Sequence, residues 1–140
     1  MIKLIVGNKG TGKTKVMVDM INENLEKVKG NIVCIEKGMQ LTHNIPTSVR
    51  LIDVDEFKIK GCKRFYGFFA GVCASNYDIE QIYVDGILKV LNTIWKTLQT
   101  LSKKSNHLLK TNLLYLQFLQ KKTNFQKNSK NTFNQSYIFC

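Results

Sequence analysis

The chain has 140 residues, of which 44% are hydrophobic, and a formal net charge of +11. That length suits one domain, or one domain with a tail, and excludes two large lobes; the apolar content excludes disorder along the whole length. The charge is lopsided: all 10 acids and 12 of the 21 basic residues fall in the first 85 positions, and nine lysines follow without an Asp or Glu.

Ile2-Lys3-Leu4-Ile5-Val6, closed by Gly7, has the look of a buried first strand. After Gly12 the period changes, and Val16, Met20, Ile21, Leu25 and Val28 recur at three- and four-residue intervals. This predicts an amphipathic helix that ends near Gly30. Asn31 to Glu36 reads as a second buried strand, Gly38 to Thr47 as a loop holding the only proline, and Val49 to Val54 as a third strand. Asp53 or Asp55 is placed to cap a brief helical turn after it. Phe65 to Ser75 is predicted as a buried helix, although its aromatics and glycines fit a strand as well. Ile79 to Asp85 is a fourth strand, and a helix follows from Ile87 with Leu88, Leu91, Trp95 and Leu98 as its stripe. Strands alternating with helical stretches predict an α/β fold, a parallel sheet with flanking helices.

Gly7-Asn8-Lys9-Gly10-Thr11-Gly12-Lys13-Thr14 fits the phosphate-loop pattern GxxxxGK[ST], directly after an apolar strand and directly before an amphipathic helix. The chemistry needs that place. Successive backbone N–H groups must curl inward around a phosphate, which calls for positive φ and close backbone approach, and the helix start adds its positive end. Lys13 is expected to reach the β- and γ-phosphates, and the Thr14 hydroxyl to ligate Mg²⁺. Lys9 is open between a solvated role and a phosphate contact. A carboxylate is expected at the carboxyl end of a parallel strand next to the first, to hold the metal's hydration shell. Asp85, after Ile82-Tyr83-Val84, is the candidate; Asp53, after Leu51-Ile52, is its competitor. Lys13 and Asp85 are thus the candidate catalytic pair. The residue after Asp85 is Gly86, where many ATP-hydrolysing proteins carry a water-orienting glutamate, and Arg50 and Arg64 are the only arginines. Tyr66, Phe65 and Tyr83 can stack on a base, with core packing as the ordinary alternative for each.

The stretches MIKLIVGNKGTGKTKVMVDM, KGNIVCIEK, RLIDVDEF and FYGFFAGVCASNYDIEQIYVDGILK resemble a group of small bacterial P-loop ATP-binding proteins often labelled twitching motility proteins of the PilT type. The resemblance covers residues 1 to about 92. It implies a P-loop NTPase-like sheet, ATP bound through Gly7 to Thr14, and Asp85 in the second acidic motif.

Cys34, Cys62, Cys73 and Cys140 show no CxxC pairing, and His43 and His107 stand alone, so reduced thiols are expected and no cysteine or histidine metal site. No secretory signal is visible, and the apolar stretch from Phe65 to Ala74 is too short to span a bilayer; a cytoplasmic protein with no membrane partner is expected.

Residues 93 to 140 form a basic tail rich in Lys, Asn, Gln and Leu, in which the further strand and final helix of a parallel core cannot be found. The sheet is therefore expected to be truncated. One reading of the tail is an aromatic-interleaved arm for nucleic acid; another is a membrane-surface helix with Leu108, Leu109, Leu113, Leu116 and Leu119 on its apolar face. The preferred reading is a frameshift near Asn92 or Thr93. With codon boundaries moved two nucleotides downstream, Leu116 to Phe133 can encode TISAKKNELPEEFKKYI, a strand and a proline-started acidic helix. One cause then explains both the missing acids and the missing strand, and an undisturbed frame in close relatives with the same tail would remove it. The function expected from the whole is Mg²⁺-dependent ATP binding, with slow hydrolysis at most. A small kinase and a nucleic-acid binder using the tail are the alternatives.

Overall fold

The computed structural model describes residues 2–91, 113–119 and 135–139. Nine elements follow in chain order: β1 (Ile2–Gly7), α1 (Lys13–Leu25), β2 (Asn31–Glu36), β3 (Arg50–Asp53), α2 (Cys62–Ser75), β4 (Ile79–Val84), α3 (Ile87–Leu91), β5 (Leu113–Leu119) and β6 (Gln135–Phe139). All the strands pair in parallel, in the order β3-β2-β4-β5-β1-β6. The α/β architecture is the one the alternation of periods predicts.

Burial on both faces explains why the strands read as unbroken apolar runs. Along β2, Val33 and Ile35 point to one side with Phe65, Phe69 and Val72 of α2 and Ile87 and Val90 around α3. Ile32 and Cys34 point to the other side, with Met17 and Ile21 of α1 and Leu41 and Ile45 of the following loop. β4 divides likewise, Ile82 and Val84 toward α2 and Tyr83 toward α1. Each large apolar side chain buried this way contributes about 1.5 to 3 kcal/mol.

Two details of α1 differ from the periodicity. It ends at Leu25 rather than near Gly30, and its innermost residues are Met17 and Ile21, with Met20, Leu25 and Val28 packed around the margin. Gly30 has a different task. Its N–H donates to Glu80 Oε1 at 2.7 Å, and a Cβ there would collide with the Asp78 carbonyl oxygen, so only glycine lets the chain enter β2 beside β4. α2 settles the helix-or-strand ambiguity over Phe65 to Ser75 in favour of a helix, because Phe65, Phe69 and Val72 recur at helical spacing on its buried side. After β3 the chain does turn, over residues 54–58, with the Lys58 N–H donating to the Asp55 carbonyl at 3.0 Å, and of the two candidates Asp53 is the one that caps it. Asp53 Oδ1 accepts the N–H groups of Asp55 at 2.9 Å and of Gly38 at 3.1 Å, so the same oxygen also ties two loops together.

The expectation of a truncated sheet is corrected. β5 pairs with β1 from Ile2↔Leu114 to Gly7↔Leu119 and with β4 from Gln81↔Leu113 to Val84↔Leu116, and β6 pairs with the other side of β1. The unpaired edges of β1 and β4 accept Leu113–Leu119 because a short apolar run is as good a strand as a helix when both neighbours are waiting. That also overturns the membrane-surface helix for Leu113, Leu116 and Leu119. The remainder of that stripe, like Trp95 and Leu98 of the expected helix, lies outside the described residues. Among the described residues no helix is long and apolar enough to cross a membrane.

Candidate functional site

All six strands run the same way, so the loop after β1 and the residues after β2, β3 and β4 gather at one edge of the sheet. The loop from Gly7 to Thr14 leaves β1 there and enters α1 directly. Gly10 and Gly12 have φ of +82° and +77°, and Gly12, with ψ 17°, is the left-handed residue from which α1 starts. A Cβ built at either meets nothing within 4 Å. Backbone conformation rather than crowding thus demands glycine, and the ground above both residues is open. The close approach expected at these glycines is not made to any protein atom.

Inside the curl, the Thr11 N–H and hydroxyl both reach the Asn8 carbonyl, at 3.4 and 2.9 Å. The Lys13 ammonium folds back onto the same carbonyl and lies 3.5 Å from Thr11 Oγ1. Lys13 is buried, so its cation is held against the loop rather than spread in solvent. The first helical bond, Val16 N–H to Gly12 carbonyl, is 3.0 Å, and no acidic residue occupies the first turn of α1. The positive end of the helix macrodipole is therefore not offset by a local carboxylate. Lys9 is exposed, and Thr14 is half-buried on the first turn.

Asp85 stands one residue beyond β4 at the same edge, its N–H bonded to the Ile35 carbonyl at 2.8 Å. β4 is not next to β1 as expected, because β5 lies between them, and the lateral separation is about 10 Å. The two still meet electrostatically. Burial pushes the Asp85 carboxyl above its ordinary value, while the Lys89 ammonium, the Gly86 N–H and the Lys13 ammonium pull it back. Asp53, the competitor, is two strands further out and spends an oxygen on the Gly38 and Asp55 amides. Phe65 and Tyr83 are core residues. Tyr83 is fully buried under α1, with its hydroxyl donating to Gln81 Oε1 at 2.7 Å and accepting from Asn24 Nδ2 at 2.9 Å. Tyr66 is half-buried and packs on the α2 side.

Two residues at this edge escape a reading of the sequence. Lys89, in the first turn of α3, acts on Asp85. Glu36, the last residue of β2, is buried, with Oε2 accepting the Gln40 and Leu41 N–H groups at 2.8 and 2.9 Å. The available signal was an acid closing the apolar run Ile32 to Ile35, much as Asp85 closes Ile82 to Val84.

Among the described residues no three His, Cys, Asp or Glu side chains converge as a metal cluster. Thr14 and Asp85 are hard oxygen donors of the kind magnesium takes alongside phosphate oxygens and water. Cys34, Cys62 and Cys73 are free thiols. Burial, with the nearby charges of Glu36 and Asp85, pushes the Cys34 thiol far up and leaves it unreactive. The chain matches no protein-family model, and a search of curated proteins finds no match.

Proposed function

We propose that this chain is a nucleotide-binding protein of the P-loop type, which takes ATP with Mg²⁺ at the edge where β1 and β4 end. The observation that carries this reading is the loop itself. Its GxxxxGK[ST] residues form a curl with two left-handed glycines, a lysine held inside, and an undercompensated helix start directly behind it. Open space above Gly10 and Gly12 is where a phosphate would sit against the main chain. In that setting the loop N–H groups and Lys13 bind the β- and γ-phosphates, and Thr14 and Asp85 hold the metal directly or through its water. The likeness of residues 1 to about 92 to small bacterial ATP-binding proteins of the twitching-motility label points the same way, and free thiols suit a cytoplasmic setting.

Lys13 folded onto the Asn8 carbonyl gives the loop its shape. An incoming phosphate competes for that ammonium, so binding exchanges one oxygen partner for a charged one, and charge-assisted bonds are the stronger kind. Calorimetric titration with ATP, with and without magnesium, tests the reading. Binding that tightens when magnesium is present is expected; no binding at millimolar nucleotide would overturn it.

A further inference from the structure

Glu36 is the residue that the nucleotide-binding reading leaves unexplained. It is 1% exposed, and its two oxygens are treated differently. Oε2 is pinned by the Gln40 and Leu41 amides, and Leu41 is itself locked in the core on the α1 side, so the carboxylate cannot swing. Oε1 is buried and, among the described residues, has no hydrogen-bond partner. A buried carboxylate oxygen without a donor is costly unless something else supplies one.

The strand register says where Glu36 lies. Cys34 pairs with Tyr83 and Ile35 with Val84, so Glu36 comes level with Asp85, one step beyond the last pair. Cys34 and Tyr83 face α1, and two residues further along each strand the same face is reached again, at Glu36 and at Asp85. Ile5 faces α1 as well, and two residues beyond it is Gly7, where the phosphate loop begins. Burial and the charges of both carboxylates push the Cys34 thiol up, in keeping with the register.

Of the other acids at this edge, Glu56 is exposed, and the two aspartates are committed elsewhere. Asp53 ties Gly38 to Asp55, and Asp55 is paired with Lys37 at 3.6 Å. Asp78 and Glu80 belong to the opposite end of β4. Directly after Asp85 the chain has Gly86, with φ +60°, so the neighbour in sequence offers no carboxylate.

We propose that Glu36 supplies that missing group in space: its free oxygen holds, beside Asp85, the water that attacks the terminal phosphate of a bound nucleoside triphosphate. This rests on the nucleotide-binding reading and extends it to hydrolysis. The water oxygen bonds to the γ-phosphorus as the bond from that phosphorus to the β,γ-bridging oxygen breaks. Glu36 takes the proton of the water and passes it on to solvent, leaving nucleoside diphosphate and inorganic phosphate.

Glu36→Gln keeps a carbonyl oxygen for the Gln40 and Leu41 amides and removes the proton acceptor. Phosphate release from Mg-ATP and calorimetric ATP affinity are measured for the wild type and this variant. Turnover is expected to fall by about 100-fold or more, the usual worth of a positioned base, with ATP affinity held within about threefold. Turnover within threefold of wild type would make Glu36 a loop anchor only and overturn the proposal, as would a wild type that binds ATP without hydrolysing it. A wild type that binds no ATP would instead bring down the nucleotide reading beneath it. Should Glu36→Gln fail to fold, Glu36→Asp decides, because it keeps the carboxylate but draws it back by one methylene: turnover lowered at least about tenfold with ATP affinity held supports the proposal, and turnover within about threefold of wild type overturns it.

Discussion

Replacing Gly12 by alanine separates the shape of the loop from its chemistry. Gly12 sits at φ +77°, ψ 17°, and a Cβ there meets no atom within 4 Å, so the substitution introduces backbone strain without a clash. Holding a non-glycine residue left-handed costs about 1 to 2 kcal/mol. For a chain of this length that lowers Tm by about 3 to 6 °C. Gly38 provides the control: it has φ +96°, is exposed, and likewise has nothing within 4 Å of a built Cβ. Gly38→Ala should therefore lose a comparable amount of stability. The two variants part on ligand binding. Relaxing Gly12 tips the amides at the start of α1 away from the phosphate and sets a methyl group in the open space above the loop, while Gly38 lies in a different loop. Differential scanning fluorimetry and calorimetric ATP titration are the assays. Gly12→Ala is expected to lose at least about tenfold more affinity than Gly38→Ala, or about 1.4 kcal/mol beyond the shared strain. Equal affinity in the two would refute the argument that this curl wraps a phosphate.

Asp85→Asn should behave as a functional residue does, gaining stability and losing activity. Burial raises the folded-state pKa of Asp85, so the folded protein holds that proton more tightly than the unfolded chain, and stability falls as pH rises through the folded value. The variant should then be more stable than wild type at pH 7, with the advantage gone below about pH 4, as read by urea denaturation, and magnesium should no longer tighten its nucleotide binding. Gly30→Ala forces a methyl group into the Asp78 carbonyl and should cost about 1 to 3 kcal/mol by the same denaturation assay; an unchanged midpoint would contradict the close β2–β4 entry. Leu116→Pro tests whether the tail completes the sheet. Leu116 pairs with Leu4 on one side and Val84 on the other, and a proline in a central strand should cost about 3 kcal/mol or more, seen as a lost or broadened thermal transition. An unchanged Tm would take β5 out of the sheet.

The parts of the fold legible in the sequence are those written in local pattern. β2 and β4 announce themselves because both faces are buried and the apolar run is continuous, and the GxxxxGK[ST] loop because its glycines are demanded by φ at fixed positions. Met17 was missed because the stripe through Val16 and Met20 lies one residue round the helix from the true centre at Met17 and Ile21. The sheet order was not legible, since the insertion of β5 between β1 and β4 depends on pairing across most of the chain. β5 itself, Leu-Leu-Tyr-Leu-Gln-Phe-Leu, has no β-branched residue to mark it as a strand, and its neighbours in space decide its conformation. Glu36 carries no motif: only its burial, its two amide donors and its register with Asp85 distinguish it from any acid that ends a strand.

The most direct measurement is calorimetric titration of wild type and Lys13→Ala with Mg-ATP. Lys13 is buried against the loop, and in the proposed reading its cation meets the phosphates, so its loss should weaken binding by about 100-fold, or about 2.7 kcal/mol, with the helical signal in circular dichroism unchanged. Equal affinity in the two proteins would contradict the account.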